Sequence, residues 1–328
     1  MAQLAAAFGS SHSIMLVSEL EDWISGFRER DHLLPLYDRA GNRCSYEDHL
    51  SRAPKNAADL VTPDAIRRRF EAVQAGMARM KEEIASAALD VLVIVGDDQH
   101  EIFHDEHMPA IAIYYGDTIR NAPRSAETDG DWYKRARLRR LEDDGEVHYP
   151  CHSKLALHLI DGLTEGSFDI AAAKSLLPGQ YEGHAYSFIH RRYLNGHRLP
   201  VVPIFLNTYN YPNQPRPRRC VELGRALGIL IGSFPDNMRV GLLASGGLSH
   251  FLVEEDFDQA ILDAMRRNDM EFLAALDPRR LQAGSSEIRN WLVVAAAAQH
   301  LKLSWVSYTP AYRSPALTGT GLCFARWS

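Results

Sequence analysis

Short, unbroken apolar runs punctuate the chain, and between them apolar residues recur every three or four positions. The runs at Gln3–Phe8, Asp90–Gly96, Ala110–Tyr115, Pro200–Asn207 and Arg239–Ala244 are strand-length and bounded by polar or turn-forming residues, so they predict buried strands. Phe168–Ile170 opens a further short one. Pro63–Ala88 predicts a long helix: Thr62 is its N-cap, Pro63 suits the first turn, and Ile66, Phe70, Val73, Met77, Met80 and Ile84 share a face. Lys154–Leu163, Arg218–Ser233, Phe257–Arg267 and Ser286–His300 predict four more helices, the last apolar for most of its length. Strands alternating with helices indicate an α/β fold, a three-layer domain over residues 1–328 whose mainly parallel sheet is covered on both faces. Two stretches interrupt this rhythm, at about 21–62 and 121–150, and are read as insertions, a lid and a polar surface excursion. Gly319-Thr320-Gly321 reads as a turn.

Composition narrows the classes. With 328 residues, 46% hydrophobic and 24% charged, the chain is globular, and disorder or collagen-like order is excluded. Its net charge of −6 gives no electrostatic reason to expect nucleic acid or an anionic membrane surface. The basic run Lys134–Arg140, followed at once by Glu142–Asp144, reads as a solvated, salt-bridged helix. Four cysteines lie far apart without a C-x-x-C pair, so a zinc knuckle or disulfide framework is not expected and the cytoplasm is. The N-terminus lacks a basic leader region, and the apolar stretch Trp291–Ala298 is far too short to span a membrane. A homodimer is the expected assembly on general grounds.

The candidate chemistry lies in loops. His12 follows the first strand, Asp97-Asp98-Gln99-His100-Glu101 follows the second, and Ser245-Gly246-Gly247-Leu248-Ser249-His250 follows the fifth run, while His184 lies in a loop after a short strand. The carboxyl edge of a parallel sheet is where such loops meet. Two imidazoles and one carboxylate on one face would hold a metal with positions left open for ligands. Each residue also has a bland reading, since a lone histidine in a turn is ordinarily a hydrogen-bonded loop residue and Glu287 would ordinarily be a first-turn acid. His104, His107, His190 and His197 lack strand-end placement and read as surface or supporting residues. No G-x-S-x-G elbow, Walker A loop or strand-linked G-x-G-x-x-G is present.

Taken together, Phe8-Gly-Ser-Ser-His12, Val95-Gly-Asp-Asp-Gln-His100, Gly183-His184, Val202-Pro-Ile-Phe-Leu-Asn207 with Tyr211-Pro, Arg219-Cys-Val-Glu-Leu-Gly224 and Ser245-Gly-Gly-Leu-Ser-His250 resemble the class III extradiol ring-cleavage dioxygenases, the group of protocatechuate 4,5-dioxygenase, gallate dioxygenase and 3-O-methylgallate dioxygenase. The resemblance implies a mononuclear Fe(II) enzyme that opens a small aromatic diol with O2. It implies His12 and Glu287 as iron ligands, His250 as catalytic acid and base, and His184 as a second active-site histidine. The family carries Asn-Asp-His or Pro-Asp-His where this chain has Asp97-Asp98-Gln99-His100. A one-residue bulge makes His100 the second histidine ligand, and a gap-free match anchored on Phe103 and Pro109 makes it Gln99; imidazole is the better Fe(II) donor, so His100 is expected. Tyr186, Tyr209 and Tyr211 are candidates to line the ring pocket, and Arg218, Arg219 or Arg313 to pair with a substrate carboxylate. Two alternatives remain open at this point, a zinc hydrolase on the same fold and a non-catalytic subunit of a ring-cleaving assembly.

Overall fold

A computed structural model describes residues 1–122, 132–142, 145–194 and 198–328, so His197 and part of the 121–150 insertion lie outside the described residues. Its centre is a sheet of nine strands: β1 (Gln3–Ser10), β2 (Val91–Asp97), β3 (Ile111–Tyr114), β4 (Ala171–Ala173), β5 (Val201–Leu206), β6 (Arg239–Ser245), β7 (His250–Leu252), β8 (Leu303–Tyr312) and β9 (Thr318–Trp327). The order is β7-β9-β1-β6-β2-β5-β3-β4, with β8 also paired to β9. Strands β1, β6, β2 and β5 run parallel to one another, as do β3 and β4. The pairings of β3 with β5 and of β9 with β1, β7 and β8 are antiparallel. The parallel centre matches the sequence expectation; the antiparallel flank was not foreseen. Gly319-Thr320-Gly321, expected as a turn, lies within β9. Gly321 is accommodated there because Asp258 packs directly over it.

Alternation along each strand divides the core in two. Val91, Val93 and Val95 of β2 face one apolar layer, and Leu92 and Ile94 face the other. The first layer is completed by α2 (Ser153–Glu165), α4 (Pro217–Ser233), α5 (Glu255–Arg266) and α6 (Ile288–Ala297), the second by α1 (Pro63–Ser86) and α3 (His184–Arg192). Every residue of α6 is buried, because the helix is wedged between the sheet and α4, and its sequence is accordingly apolar on most sides. Thr62 caps α1 as expected, accepting from the Ala65 N–H at 3.3 Å. The 21–62 stretch forms short turns, a small hairpin (Leu36–Tyr37 with Arg43–Cys44) and the helix Tyr46–Arg52; Trp23 anchors it by donating to the Met15 carbonyl at 2.8 Å. Among the described residues no helix is long and apolar enough to cross a membrane.

The contact between α4 and α6 makes a prediction of opposite signs within one helix. A Cβ on Gly224 would collide with the Val293 carbonyl and come within 2.8 Å of Ala296 Cβ, whereas nothing lies within 4 Å of the same position on Gly232. Gly224→Ala is expected to cost about 1–3 kcal/mol, as overpacking between rigid helices does. Gly232→Ala is expected to gain up to about 1 kcal/mol from helix propensity alone. Urea unfolding midpoints of the two variants check the pair of signs.

Candidate metal centre

The carboxyl ends of β1, β6 and β2 bring the candidate groups together. Ser10 and Ser245 are register partners, so the turn after β1 and the glycine loop after β6 leave the sheet side by side. Ser11 ties its turn to β9, donating from its N–H to the Cys323 carbonyl at 2.9 Å and accepting from the Cys323 N–H at 2.9 Å. His12 is thereby held 2% exposed, its Nδ1 2.9 Å from Ser245 Oγ. The Ser245 hydroxyl donates to the Ala185 carbonyl at 2.7 Å, so its oxygen accepts the His12 Nδ1–H. That tautomer leaves the His12 Nε2 lone pair pointing away from its support.

Asp97 is the last residue of β2 and is buried, as is Glu287, which closes a tight turn (Ala283–Glu287) before α6. Gly247 N–H donates to Glu287 Oε2 at 2.7 Å, Asn290 Nδ2 to the Ser245 carbonyl at 2.8 Å, and Trp291 Nε1 to the Gly246 carbonyl at 2.7 Å. A side chain at Gly246 would meet Glu287 Cβ at 2.8 Å, and its φ of 155° lies where glycine is favoured. Glu287 is therefore no solvent-facing first-turn acid. The turn buries it against the loop it clamps.

His12 Nε2 stands 3.4 Å from Glu287 Oε1 and 3.7 Å from Asp97 Oδ1. His184, the first residue of α3 and not a loop residue, places its Nε2 3.9 Å from Asp97 Oδ2. Its Nδ1–H donates to Glu101 Oε2 at 2.6 Å, so in the neutral ring the lone pair sits on Nε2. One donor atom from each of His12, Asp97, His184 and Glu287 lies within 4.8 Å of all the others. His12 Nε2 and Asp97 Oδ1 are buried without a hydrogen-bond partner, which folded proteins rarely tolerate. Donors on a six-coordinate ion with bonds of about 2.1 Å sit roughly 3 Å apart when adjacent and roughly 4.2 Å when opposite. The separations of 3.4, 3.7 and 3.9 Å fall between those values, and imidazole with carboxylate suits a divalent transition-metal ion.

The charges interlock. Burial pushes the Asp97 carboxyl up, and the neighbouring Glu287 charge pushes it further. Burial also raises Glu287, but the His250 and His12 imidazoles outweigh it and hold the carboxyl at about 2. Burial is likewise outweighed at Glu101, which His184 holds at about 2, while burial depresses His184 and the Glu101 charge more than restores it. His250 stands at the edge of the group, Nε2 3.6 Å from Glu287 Oε2 and Nδ1 2.9 Å from the Leu248 carbonyl. Its loop is pinned through Ser249, which donates to buried Asp258 from N–H at 2.9 Å and from Oγ at 2.6 Å; Tyr308 adds a third donor at 2.7 Å.

Two expected residues fall elsewhere. His100, expected as the second ligand, adopts a φ of 60° that turns it outward, where its Nε2 meets Asp105 Oδ1 at 3.0 Å with 43% of the side chain exposed. Gln99 lies at the rim, its Nε2 donating to Asp97 Oδ2 at 3.2 Å and 3.5 Å from His184 Nε2. Asp97 is the residue of this stretch that stands in the buried cluster; its strand-terminal position among metal-capable groups was the available signal. Tyr211 is 89% exposed on a separate cleft, and Tyr186 is buried behind Asp97 with its hydroxyl donating to the Ile204 carbonyl at 2.7 Å. Tyr209 is half-buried, near enough to feel the Glu287 and Asp97 charges. Arg218 is exposed, Arg219 donates to the Ser167 carbonyl at 2.9 Å, and Arg313 pairs with Asp31 at 2.9 Å. His190 is stacked on Tyr149 and bound to Glu182, and His104 stacks on His100.

Residues 60–322 match the family described as the catalytic LigB subunit of aromatic ring-opening dioxygenase. A 2,3-dihydroxyphenylpropionate/2,3-dihydroxicinnamic acid 1,2-dioxygenase from Comamonas testosteroni is 29% identical over 179 residues, 55% of this chain and 49% of that protein. A protein of the same name from Photorhabdus laumondii subsp. laumondii is 30% identical over 172 residues, covering 52% and 46%. A gallate dioxygenase from Pseudomonas putida is 36% identical over 87 residues, 25% of this chain and 24% of that one. The chain thus spans about half the length of the first two relatives. His12 lies before the matched segment, so its place in the cluster rests on geometry.

Two predictions follow from the arrangement. His12→Ala and Asp97→Ala are each expected to lower bound metal at least tenfold while His100→Ala leaves it unchanged, measured by elemental analysis after anaerobic Fe(II) loading. Full occupancy in Asp97→Ala would remove Asp97 from the ligand set. Burial pushes Asp258 from 3.8 up to about 7. The folded state then holds this proton where the unfolded chain releases it, so this group lowers stability as pH rises from about 4 to about 7 and adds nothing further above. The difference in unfolding free energy between wild type and Asp258→Asn should drift across that window, and a pH-independent difference would count against a protonated Asp258.

Proposed function

Because the chain belongs to the LigB family of catalytic subunits of aromatic ring-opening dioxygenases, we propose that it opens the ring of a catecholic compound with O2, using a ferrous ion held by His12, Asp97 and Glu287. The observation that carries this reading is the pair of buried, partnerless atoms, His12 Nε2 and Asp97 Oδ1, facing each other beside Glu287 and His184. Such a site is costly without a cation and well matched to one. When bound, a ferrous ion supplies Lewis acidity that acidifies a coordinated diol and a path for electrons between ring and O2.

The chain's own residues supply the proton traffic and the positioning. His250 Nδ1–H is committed to the Leu248 carbonyl, so Nε2 is the atom that takes a proton from the substrate diol and later returns it. The clamp of Ser249 on Asp258 keeps that imidazole at a fixed distance from Glu287. His184, oriented by Glu101, turns its Nε2 toward the same point and is suited to hydrogen-bond a substrate hydroxyl. Tyr209, near enough to feel the Glu287 and Asp97 charges, is a candidate to line the ring pocket. Burial of His12, Asp97 and Glu287 keeps bulk water from the charged groups. The four cysteines are all free, which supports a reducing, cytoplasmic setting.

Oxygen uptake by Fe(II)-loaded protein against catechol, protocatechuate, gallate and 2,3-dihydroxyphenylpropionate tests the reading, with visible absorbance following the ring-opened product. Uptake with at least one diol is expected. Absence of uptake with all of them, together with zinc-dependent hydrolysis indifferent to O2, would replace this reading with a hydrolase. His250→Phe is expected to retain iron while ring opening falls by about 10²–10⁴-fold, the usual effect of removing a general acid-base.

A further inference from the structure

Two glycines from different loops close on the side chain of His250. A Cβ on Gly247 would stand 2.2 Å from His250 Cε1, and one on Gly284 would stand 2.3 Å from His250 Cβ and 2.6 Å from Cγ. Only a residue without a Cβ brings main chain that close to a neighbouring side chain. The imidazole therefore sits in a slot with main-chain walls, and 7% of the side chain is exposed. Each wall is also fastened to Glu287. Gly247 donates its N–H to Glu287 Oε2 at 2.7 Å, and Gly284 belongs to the tight turn Ala283–Glu287 that ends on the carboxylate itself.

The same turn holds the histidine's backbone. Buried Ser285 accepts the His250 N–H on Oγ at 2.8 Å. Ala283, which opens the turn, has a φ of 45°, and Phe251, next to His250 on β7, has a φ of 56°. Residues with a side chain rarely adopt such backbone, and it persists only where surrounding packing enforces it, commonly at functional sites. One short segment thus supplies a wall of the slot, the acceptor for the His250 backbone and a carboxylate of the metal cluster.

We propose that the turn Ala283–Glu287 is the gauge that sets His250 Nε2 at 3.6 Å from Glu287 Oε2, with Gly284 and Ser285 as positioning residues for the proton carrier. The inference rests on the ring-cleavage reading and adds positioning residues to it. His250 and Glu287 come from segments far apart in the chain, so their separation is only as exact as the contact between those segments. A displacement of about 1 Å in a reacting group can cost about 10²-fold in rate, and walls of main chain hold position better than the ends of flexible side chains. The slot acts together with the clamp of Ser249 on Asp258, which fixes the residue before His250.

Crystal structures and oxygen uptake of Fe(II)-loaded wild type, Gly284→Ala and Ser285→Ala test the proposal. The methyl of Gly284→Ala meets His250 Cβ, not the far end of a side chain, so the turn or β7 must move. The Nε2-to-Oε2 separation is expected to lengthen by about 1 Å and kcat for catechol to fall at least tenfold, with bound iron retained and KM little changed. In the His250→Phe background the same substitution is expected to change kcat by less than about threefold, because the group it misplaces is gone, whereas a purely structural loss lowers both backgrounds equally. An unchanged separation, or an equal loss in the two backgrounds, overturns the proposal. The separation is read without turnover: should it lengthen while no diol supports oxygen uptake in wild type, the placement of His250 stands and the ring-cleavage reading fails. Should Gly284→Ala fail to fold, Ser285→Ala carries the comparison, with a longer separation and at least a threefold loss of kcat that vanishes in the His250→Phe background expected.

Discussion

Two carboxylates buried side by side at the carboxyl edge of a parallel sheet impose the condition that the rest of this structure serves. Asp97 and Glu287 approach the same His12 nitrogen at 3.7 and 3.4 Å, away from water and without arginine or lysine between them. Burial opposes the Asp97 charge, and the Glu287 charge beside it opposes it further. A divalent cation beside the His12 Nε2 and the two carboxylates would resolve the conflict at once.

Much of the fold can be understood as support for that arrangement. Helix α6 is unusual in being apolar on nearly every side, yet Glu287 just before it and Asn290 and Trp291 in its first turn bond to the glycine loop after β6. The apolar body fastens the helix between the sheet and α4, and the polar start fixes the loop. Core packing and site geometry are thus coupled through one rigid element. On the other side, β9 holds the His12 turn through Cys323, and Asp258 under β9 holds the loop that carries His250.

The insertions add what the sheet does not supply. The segment around Trp132–Leu138 brings Arg140 down to the His184–Glu101 pair, while the remaining basic residues of the run stay at the surface. One segment therefore mixes solvated charges with a single buried one. Composition cannot distinguish them, because a guanidinium on a flexible stem is equally at home in either place until the fold decides which end of the helix faces inward.

The layered architecture was written in local pattern: apolar runs of strand length alternating with amphipathic stretches leave few options other than a covered parallel sheet. The histidine-bearing loops at His12 and His250 were equally legible, since a glycine or serine turn directly after a buried strand has one place to go. The antiparallel hairpin β8–β9 escaped because its strands carry Pro310, Gly319, Gly321 and interspersed polar residues, which weaken a strand signal. The carboxylate that ends β2 escaped for a different reason. Asp97, Gln99 and His100 all fit the chemistry, and choosing among them depends on where β2 ends and on the positive φ that turns His100 outward. In a strand each residue step reverses the side chain's direction, so a shift of one position exchanges an inward group for an outward one. Local sequence therefore determined which elements form and which loops carry chemistry, whereas only the packed sheet, by setting strand ends and burial, decided which side chains meet.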